Sequence, residues 1–365
     1  MLRKDPVNDL LRVGLEEGVY PGAVLLVAVD RDVVFLEKVG NASLNPCSVP
    51  MRRKTIFDLA SLTKPLATSL ACMKLVDEGR ISLDQSLTEI IKASSLGDKG
   101  SLTPRLLLNH CGGLDDWRPY YLDLVKYGPE ERKRILRAWL VDEPLVYQPG
   151  EACIYSDLGF MFLEWLVEEA SGVSMDQFLK DRLYQPFGLE RTFLYSESIP
   201  GSFQGEVFAA TEDCPWRKRV LQGEVHDENA YALGGYSGHA GLFGTAEDVY
   251  RIVRVLLEHY RGDREDFFRQ ETVREFFTRQ AIVGESTWAL GWDTPSERES
   301  SSGEYFSDTS VGHLGFTGTS IWIDLERDLT VILLTNRIHP TRNNDRIRNF
   351  RPKLHNKIME VLGFT

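Results

Sequence analysis

Two pairs of apolar, β-prone runs sit at opposite ends of this chain, and their placement constrains the fold more than any other feature. Near the start, Ala23-Val24-Leu25-Leu26-Val27-Ala28-Val29 and Val33-Val34-Phe35-Leu36 flank Asp30-Arg31-Asp32, the pattern of a strand hairpin. Near the end, Ser320-Ile321-Trp322-Ile323-Asp324 and Leu329-Thr330-Val331-Ile332-Leu333-Leu334 are separated by the polar turn Leu325-Glu326-Arg327-Asp328. Residues 62–280 between them carry mainly helical spacing and caps. This order predicts one antiparallel sheet built from both termini, with a helical body inserted in sequence. The expected fold is α/β (α+β). A sheet domain of residues 1–60 and 285–365, flanked by terminal helices, meets a mainly helical domain of 61–284, with a site in the cleft between them.

Local signals agree. Residues 7–17 form an amphipathic helix candidate. Thr103-Pro104 is an N-cap followed by Pro at the first helical position. Ser174-Met175-Asp176-Gln177 fits a capping box, and Thr245-Ala246-Glu247-Asp248 opens a helix reaching Tyr260. Ile347, Phe350, Leu354, Ile358 and Val361 mark one face of a final helix.

Charge and cysteine usage narrow the partners. Lys plus Arg number 42 against 54 Asp plus Glu, a formal net charge of −12 that repels nucleic acid and anionic membrane surfaces alike. No run approaches the roughly 18 apolar residues a bilayer crossing requires. The start, Met1-Leu2-Arg3-Lys4-Asp5-Pro6, has no apolar stretch behind it of the kind a secretory signal needs. Cys47, Cys72, Cys111, Cys153 and Cys214 are odd in number and show no CxxC spacing, which reads as reduced thiols in the cytoplasm. The partner expected is a small ester, amide or peptide substrate. Oligomeric state is not readable from these residues.

The chemistry begins at Phe57-Asp58-Leu59-Ala60-Ser61-Leu62-Thr63-Lys64. Leu62, Leu66, Leu70, Met73 and Val76 recur at helical spacing, so Ser61 stands at a helix N-terminus with Lys64 one turn on. Backbone N–H groups and the positive dipole end can stabilise an oxyanion there, and an amine three residues on can reach the hydroxyl. An S-x-x-K match also arises by chance, with Ser61 then an N-cap and Lys64 a surface charge.

Two further motifs lift it above chance. Ile154-Tyr155-Ser156-Asp157-Leu158-Gly159 precedes a helix, and Gly312-His313-Leu314-Gly315-Phe316-Thr317-Gly318-Thr319-Ser320 leads into a strand. S-x-x-K, a middle polar element and a K-T-G-like strand together characterise penicillin-binding proteins and β-lactamases. With Tyr155-Ser156-Asp157 in the middle and His313-Leu314-Gly315 third, the chain resembles the class C β-lactamase-related serine hydrolases, which include D-amino-acid peptidases and carboxylesterases. The resemblance runs from about residue 20 to 340. Leu107–Leu114 and Gly238-His239-Ala240-Gly241 are similar to family segments as well.

The resemblance implies roles. Ser61 matches the acylated nucleophile, Lys64 its proton-transfer partner and Tyr155 the general base. The backbone N–H groups of Ser61 and Phe316 match the oxyanion hole, and Asp157, His313 and Gly315 fall at substrate-binding positions. No metal or organic cofactor is implied. Making phenolate at pH 7 from a tyrosine of pKa near 10 costs roughly 4 kcal/mol, which a nearby Lys64 ammonium would reduce.

Two departures carry weight. Asp157 stands where the family pattern has Asn, so a carboxylate would hold Lys64 charged and favour Tyr155 as base; the bland role for Asp157 is a helix N-cap. His313 replaces the Lys that reads a substrate carboxylate. A mostly neutral imidazole weakens that recognition and tilts the expectation towards esters or amides over β-lactams. His239 is a rival third motif, and His110 with His226-Asp227 raises a Ser-His-Asp alternative without the G-x-S-x-G elbow. Trp288 and Trp292 are candidates for an acyl pocket or for core. True β-lactam turnover, and a catalytically silent binding scaffold, are the competing functions.

Overall fold

The computed structural model describes residues 4–92, 95–196 and 203–365; Met1–Arg3, where the basic start falls, lie outside the described residues. Six antiparallel strands form the main sheet in the order Val49–Pro50, Asp32–Ser43, Gly22–Val29, Leu329–Thr335, Ser320–Asp324 and Val311–Leu314. The two ends of the chain meet at its centre, where Ala23 lies opposite Thr335 and Val29 opposite Leu329.

Period-2 alternation explains why both faces are covered. Ala23, Leu25 and Val27 pack with Val331, Leu333 and Trp322 against the opening helix Lys4–Glu16 and the closing helix Ile347–Leu362. Val24, Leu26 and Ala28 face the other way, joining Ile321, Ile323 and Ile332 in the larger core shared with the helical body. The closing helix buries Ile347, Phe350, Leu354 and Ile358 as their spacing predicts, and buries Arg351 and His355 among them.

Caps behave largely as their sequences predict. Thr103 accepts the Leu106 N–H ahead of Pro104–Leu108, and Thr245 accepts that of Asp248 ahead of Ala246–Arg261. Ser174 precedes Met175–Leu179 without a side-chain cap bond, so the capping box read there does not form. The middle of the chain also holds strand that helical periodicity hid. Ala210–Cys214 pairs with Arg219–Gln222, and Leu242–Gly244 lies between Phe57–Asp58 and Phe193–Leu194. These strands have two to five residues, too short to show a period. Among the described residues, no helix is long and apolar enough to cross a membrane.

Candidate active site

The turn bearing Ser61 is held by a residue that motif reading passed over. Asp58 is buried, and its carboxylate accepts the Ala60 N–H at 2.9 Å and the His226 N–H at 2.7 Å. Ala60, between them and Ser61, has φ 49°, a left-handed conformation unfavourable to any residue with a Cβ. A 3₁₀ turn, Ala60–Leu62, leads into a π-type segment, Lys64–Ser69, and only then into α-helix, Leu70–Asp77. The apolar spacing predicts α-helix from Leu62. Pro65 has no N–H to donate, so the opening turns are not locked in α register.

The third motif is bolted to this turn. Thr317 and Thr319 donate their hydroxyls to the carbonyls of Asp58 and Leu59, at 2.9 and 3.1 Å. Gly315 makes that approach possible: a Cβ on it would lie 2.0 Å from Thr319 Oγ1 and 2.7 Å from the Leu59 carbonyl oxygen. Among the described residues, the backbone N–H groups of Ser61 and Phe316 donate to no protein acceptor, which leaves both available to a ligand oxygen.

Four predicted side chains converge. Lys64 Nζ donates to Ser61 Oγ at 3.2 Å and to Asp157 Oδ1 at 2.6 Å, and lies 4.5 Å from the Tyr155 ring centre. Lys64 and Ser61 both favour the ionised form of the Tyr155 hydroxyl. Ser156, not Asp157, caps the following helix, accepting the Gly159 N–H at 3.2 Å; Asp157 is that helix's first residue and turns to Lys64. Burial opposes the Lys64 charge, but Asp157 and Tyr155 outweigh it and hold the amine above its usual pKa. Burial also lifts Tyr155 above the ordinary phenol value; Lys64 opposes this only in part, and Asp157 adds to it. The resting site therefore holds ammonium and phenol.

The histidines sort by geometry. His313 ends in the edge strand Val311–Leu314, its Nδ1 at 2.8 Å from the Leu314 carbonyl oxygen. Burial foremost, then Lys64, lowers its pKa to about 3, so it is neutral at pH 7. His239 Nε2 pairs with Asp227 at 3.0 Å, and His226 Nε2 with Glu212 at 3.1 Å. His110 Nδ1 accepts the Ser156 N–H at 3.0 Å while its ring packs on Tyr155. None of these three bonds reaches Ser61, so the Ser-His-Asp alternative lacks its geometry. Donor atoms of Asp157, Asp227 and His239 lie within 4.8 Å of one another, but Asp157 is already paired with Lys64 and Asp227 with His239.

Ser61, Tyr155 and Phe316 line two cavities, one richer in carboxylates and the other in arginines. One, of about 480 Å³, is lined by the carboxylates of Asp116, Asp157, Asp227 and Glu228. The other, of about 370 Å³, is lined by His313, Trp288, Arg337, Arg348 and Arg351, with one carboxylate, Asp293, whose pKa burial raises to about 6. Trp292, by contrast, is wholly core. Arg351 is only 4 % exposed, its Nε has no partner, and one long bond of 3.4 Å joins it to the Gly318 carbonyl. Arg337 donates to the carbonyls of Phe316 and Asn344. Among the described residues, no ion pair joins any of the three arginines to a carboxylate. Burial first, then Arg337, disfavours the Arg351 charge. Sequence reasoning missed this cluster, although Arg351 stands four residues after Ile347 and three before Leu354, on the apolar face of its helix.

A family model described as Beta-lactamase matches residues 7–351. The chain belongs to this family. It is 34 % identical to an N-acetylmuramyl-L-alanine amidase of Bacillus subtilis (strain 168), over 93 % of this chain and 81 % of the relative. It is 33 % identical to a putative D-alanyl-D-alanine carboxypeptidase of Escherichia coli (strain K12), over 88 % and 79 %. The octameric penicillin-binding protein homologue from Pyrococcus abyssi shares its fold, with a TM-score of 0.75 at 20 % identity, over 99 % of this chain and 78 % of that one. EstCE1, a hydrolase with promiscuous acyltransferase activity, does likewise at 0.73 and 22 %, over 96 % and 98 %. This Beta-lactamase family member is a serine hydrolase of the acyl-enzyme type, acting on an ester or amide.

Proposed function

We propose that the protein cleaves an amide bond in a small peptide substrate that carries a free carboxylate, with Ser61 as nucleophile. The observation that carries this is Arg351: a guanidinium buried beside Arg337, with no ion-pair partner among the described residues and its Nε unbonded, in the cavity that also holds Ser61. Leaving one ion of a buried pair unpaired costs about 3–5 kcal/mol, which a substrate carboxylate would offset. Carboxylate reading thus passes from neutral His313 to the closing helix. The names of the curated relatives, an amidase and a carboxypeptidase, support an amide substrate.

In this reading Ser61 attacks the carbonyl, and the N–H groups of Ser61 and Phe316 receive the oxyanion. Tyr155 takes the Ser61 proton in its phenolate form, which Lys64 stabilises, and later activates the deacylating water. Asp157 keeps Lys64 charged. His313 and Gly315 shape the cavity wall beside the scissile bond. The division into residues 1–60 with 285–365 and 61–284, with the site at their junction, is part of the same proposal. So is a cytoplasmic location, for which five free cysteines are the support.

The test compares an N-acylated D-alanyl-D-alanine with its C-terminal amide, alongside a p-nitrophenyl ester and benzylpenicillin, each with wild type and Ser61→Ala. Preference for the free acid, abolished in Ser61→Ala, is the expected result. Equal turnover of acid and amide overturns the carboxylate reading. Turnover of benzylpenicillin alone moves the function to β-lactam hydrolysis, and binding without turnover of any of them makes the protein a silent scaffold.

A further inference from the structure

Two thiols that the chemistry above does not use stand beside it. Cys111 follows His110, whose ring centre is 4.6 Å from that of Tyr155, and Cys153 precedes Tyr155 by two residues. Both sulfurs converge on Asn109: Cys111 Sγ donates to its carbonyl oxygen at 3.5 Å and to its Oδ1 at 3.2 Å, and Cys153 Sγ donates to the same carbonyl oxygen at 3.4 Å. Backbone bonds tie the two segments together: Gly150 N–H donates to Cys111 O at 2.8 Å, and Ile154 N–H to His110 O at 3.1 Å.

The pair is unequal. Cys111 is buried, whereas Cys153 is half-buried. The Ser286 hydroxyl donates to the Cys153 sulfur at 3.6 Å. The neighbouring Cys111 thiol foremost draws the Cys153 thiol down to about 7, while Cys153 first and burial second push Cys111 up. A reachable, readily ionised sulfur with a buried thiol against it is the arrangement that thiol–disulfide exchange uses.

We propose that Cys153 and Cys111 form a redox-modification site, in which Cys153 reacts with a disulfide of the glutathione class and Cys111 resolves the adduct into an internal disulfide. The Cys153 thiolate attacks one sulfur of oxidised glutathione, forming a mixed disulfide and releasing one glutathione thiolate. Cys111 gives its proton to solvent and attacks the Cys153 sulfur, releasing the second glutathione. Two electrons pass from the protein to glutathione, and two glutathione thiols leave for each bridge formed.

The bridge alters the site because of which side can move. An S–S bond of about 2.05 Å requires the two sulfurs, which now both rest against the Asn109 carbonyl oxygen, to close in on each other. Cys111 is fixed in the core, so the yielding partner is the irregular segment 152–156, which carries Tyr155. A displacement of about 1 Å at a reacting group costs on the order of 100-fold in rate. Oxidation switches the enzyme off; this effect on activity rests on the role proposed for Tyr155, whereas the bridge itself does not.

The test treats the full chain with oxidised glutathione, maps disulfides by peptide mass under non-reducing conditions, and follows ester turnover before treatment, after it, and after dithiothreitol. Expected are a Cys111–Cys153 bridge, turnover reduced at least about 10-fold, and recovery on reduction. Cys153→Ser keeps basal turnover and does not respond. Cys111→Ser stops at a glutathione adduct on Cys153; Cys111→Ala is the second variant if Ser at this buried position impairs folding. Glutathione found only on exposed Cys47 overturns the proposal, and a bridge that leaves turnover unchanged upholds the modification site and overturns its effect on activity. Mass mapping reads the bridge whether or not the ester is a substrate, so failure here is distinct from failure of the proposed function.

Discussion

Arg351→Met separates binding of the substrate carboxylate from stability of the fold. In the free protein Arg351 makes one 3.4 Å bond to the Gly318 carbonyl, leaves Nε unpartnered and stands against a second guanidinium. Methionine keeps an unbranched stem in the same slot without the charge, so the variant should fold at least as well as wild type. Replacing buried ionic groups with apolar side chains of similar volume is often neutral or stabilising by about 1–4 kcal/mol. With a carboxylate substrate the balance reverses. A charge-assisted hydrogen bond is worth about 1.5–3 kcal/mol, and its loss lowers kcat/KM by about 10- to 150-fold. The assay is kcat/KM on an N-acylated D-alanyl-D-alanine and on a neutral p-nitrophenyl ester, with Tm measured in parallel. The carboxylate substrate should lose that factor, the ester should change less than about 3-fold, and Tm should hold or rise. Equal losses on both substrates, or a falling Tm that accounts for them, would refute the reasoning.

Tyr155→Phe should lower ester turnover by about 10²–10⁴-fold, the usual contribution of a general base; near-normal turnover would sink that role. Because the reactive form is the phenolate and Tyr155 lies above the ordinary phenol pKa of about 10, wild-type kcat/KM should climb with pH from 7 to 9 without a plateau. A profile flat over that range would place the proton on another group, Asp157 being the nearest carboxylate to Lys64. Asp157→Asn removes a charge that raises both Tyr155 and Lys64, so the rising limb should move to lower pH; a shift to higher pH would contradict the electrostatic assignment. Gly315→Ala should cost about 1–3 kcal/mol of stability by overpacking and cut turnover of every substrate, since its Cβ would collide with Thr319 and the Leu59 carbonyl. Thermal unfolding and ester kinetics on the one variant check both.

The sheet is legible because its central strands are apolar, β-prone runs split by short polar turns, and because runs at opposite ends of a chain have few partners but each other. Strands as short as Leu242–Gly244 form no such run, and their sequence reads as part of a helical region. Ser61, Lys64, Tyr155 and Asp157 were legible because their spacing puts each at a helix start, where side chains converge on one cleft. The π-type opening at Lys64–Ser69 was not, since apolar recurrence at three and four residues does not distinguish it from α-helix. Asp58 escaped notice because it acts on the backbone, through the Ala60 and His226 N–H groups, and such a role leaves no mark in side-chain spacing. The arginine cavity needed tertiary structure. Arg337 follows the last sheet strand and Arg351 lies in the closing helix, and only packing of that helix on the sheet brings them beside Ser61. His313 in place of Lys suggests weaker recognition of a carboxylate, and the sequence offers no sign that Arg337 and Arg351 line the same cavity.

The most direct test of the account is to trap the acyl-enzyme. The protein is quenched in acid within its first turnovers of a p-nitrophenyl ester, and the adduct is located by peptide mass. An acyl group on Ser61, absent from Ser61→Ala together with all turnover, is the predicted result. An adduct on another residue, or turnover that survives in Ser61→Ala, would contradict the central claim.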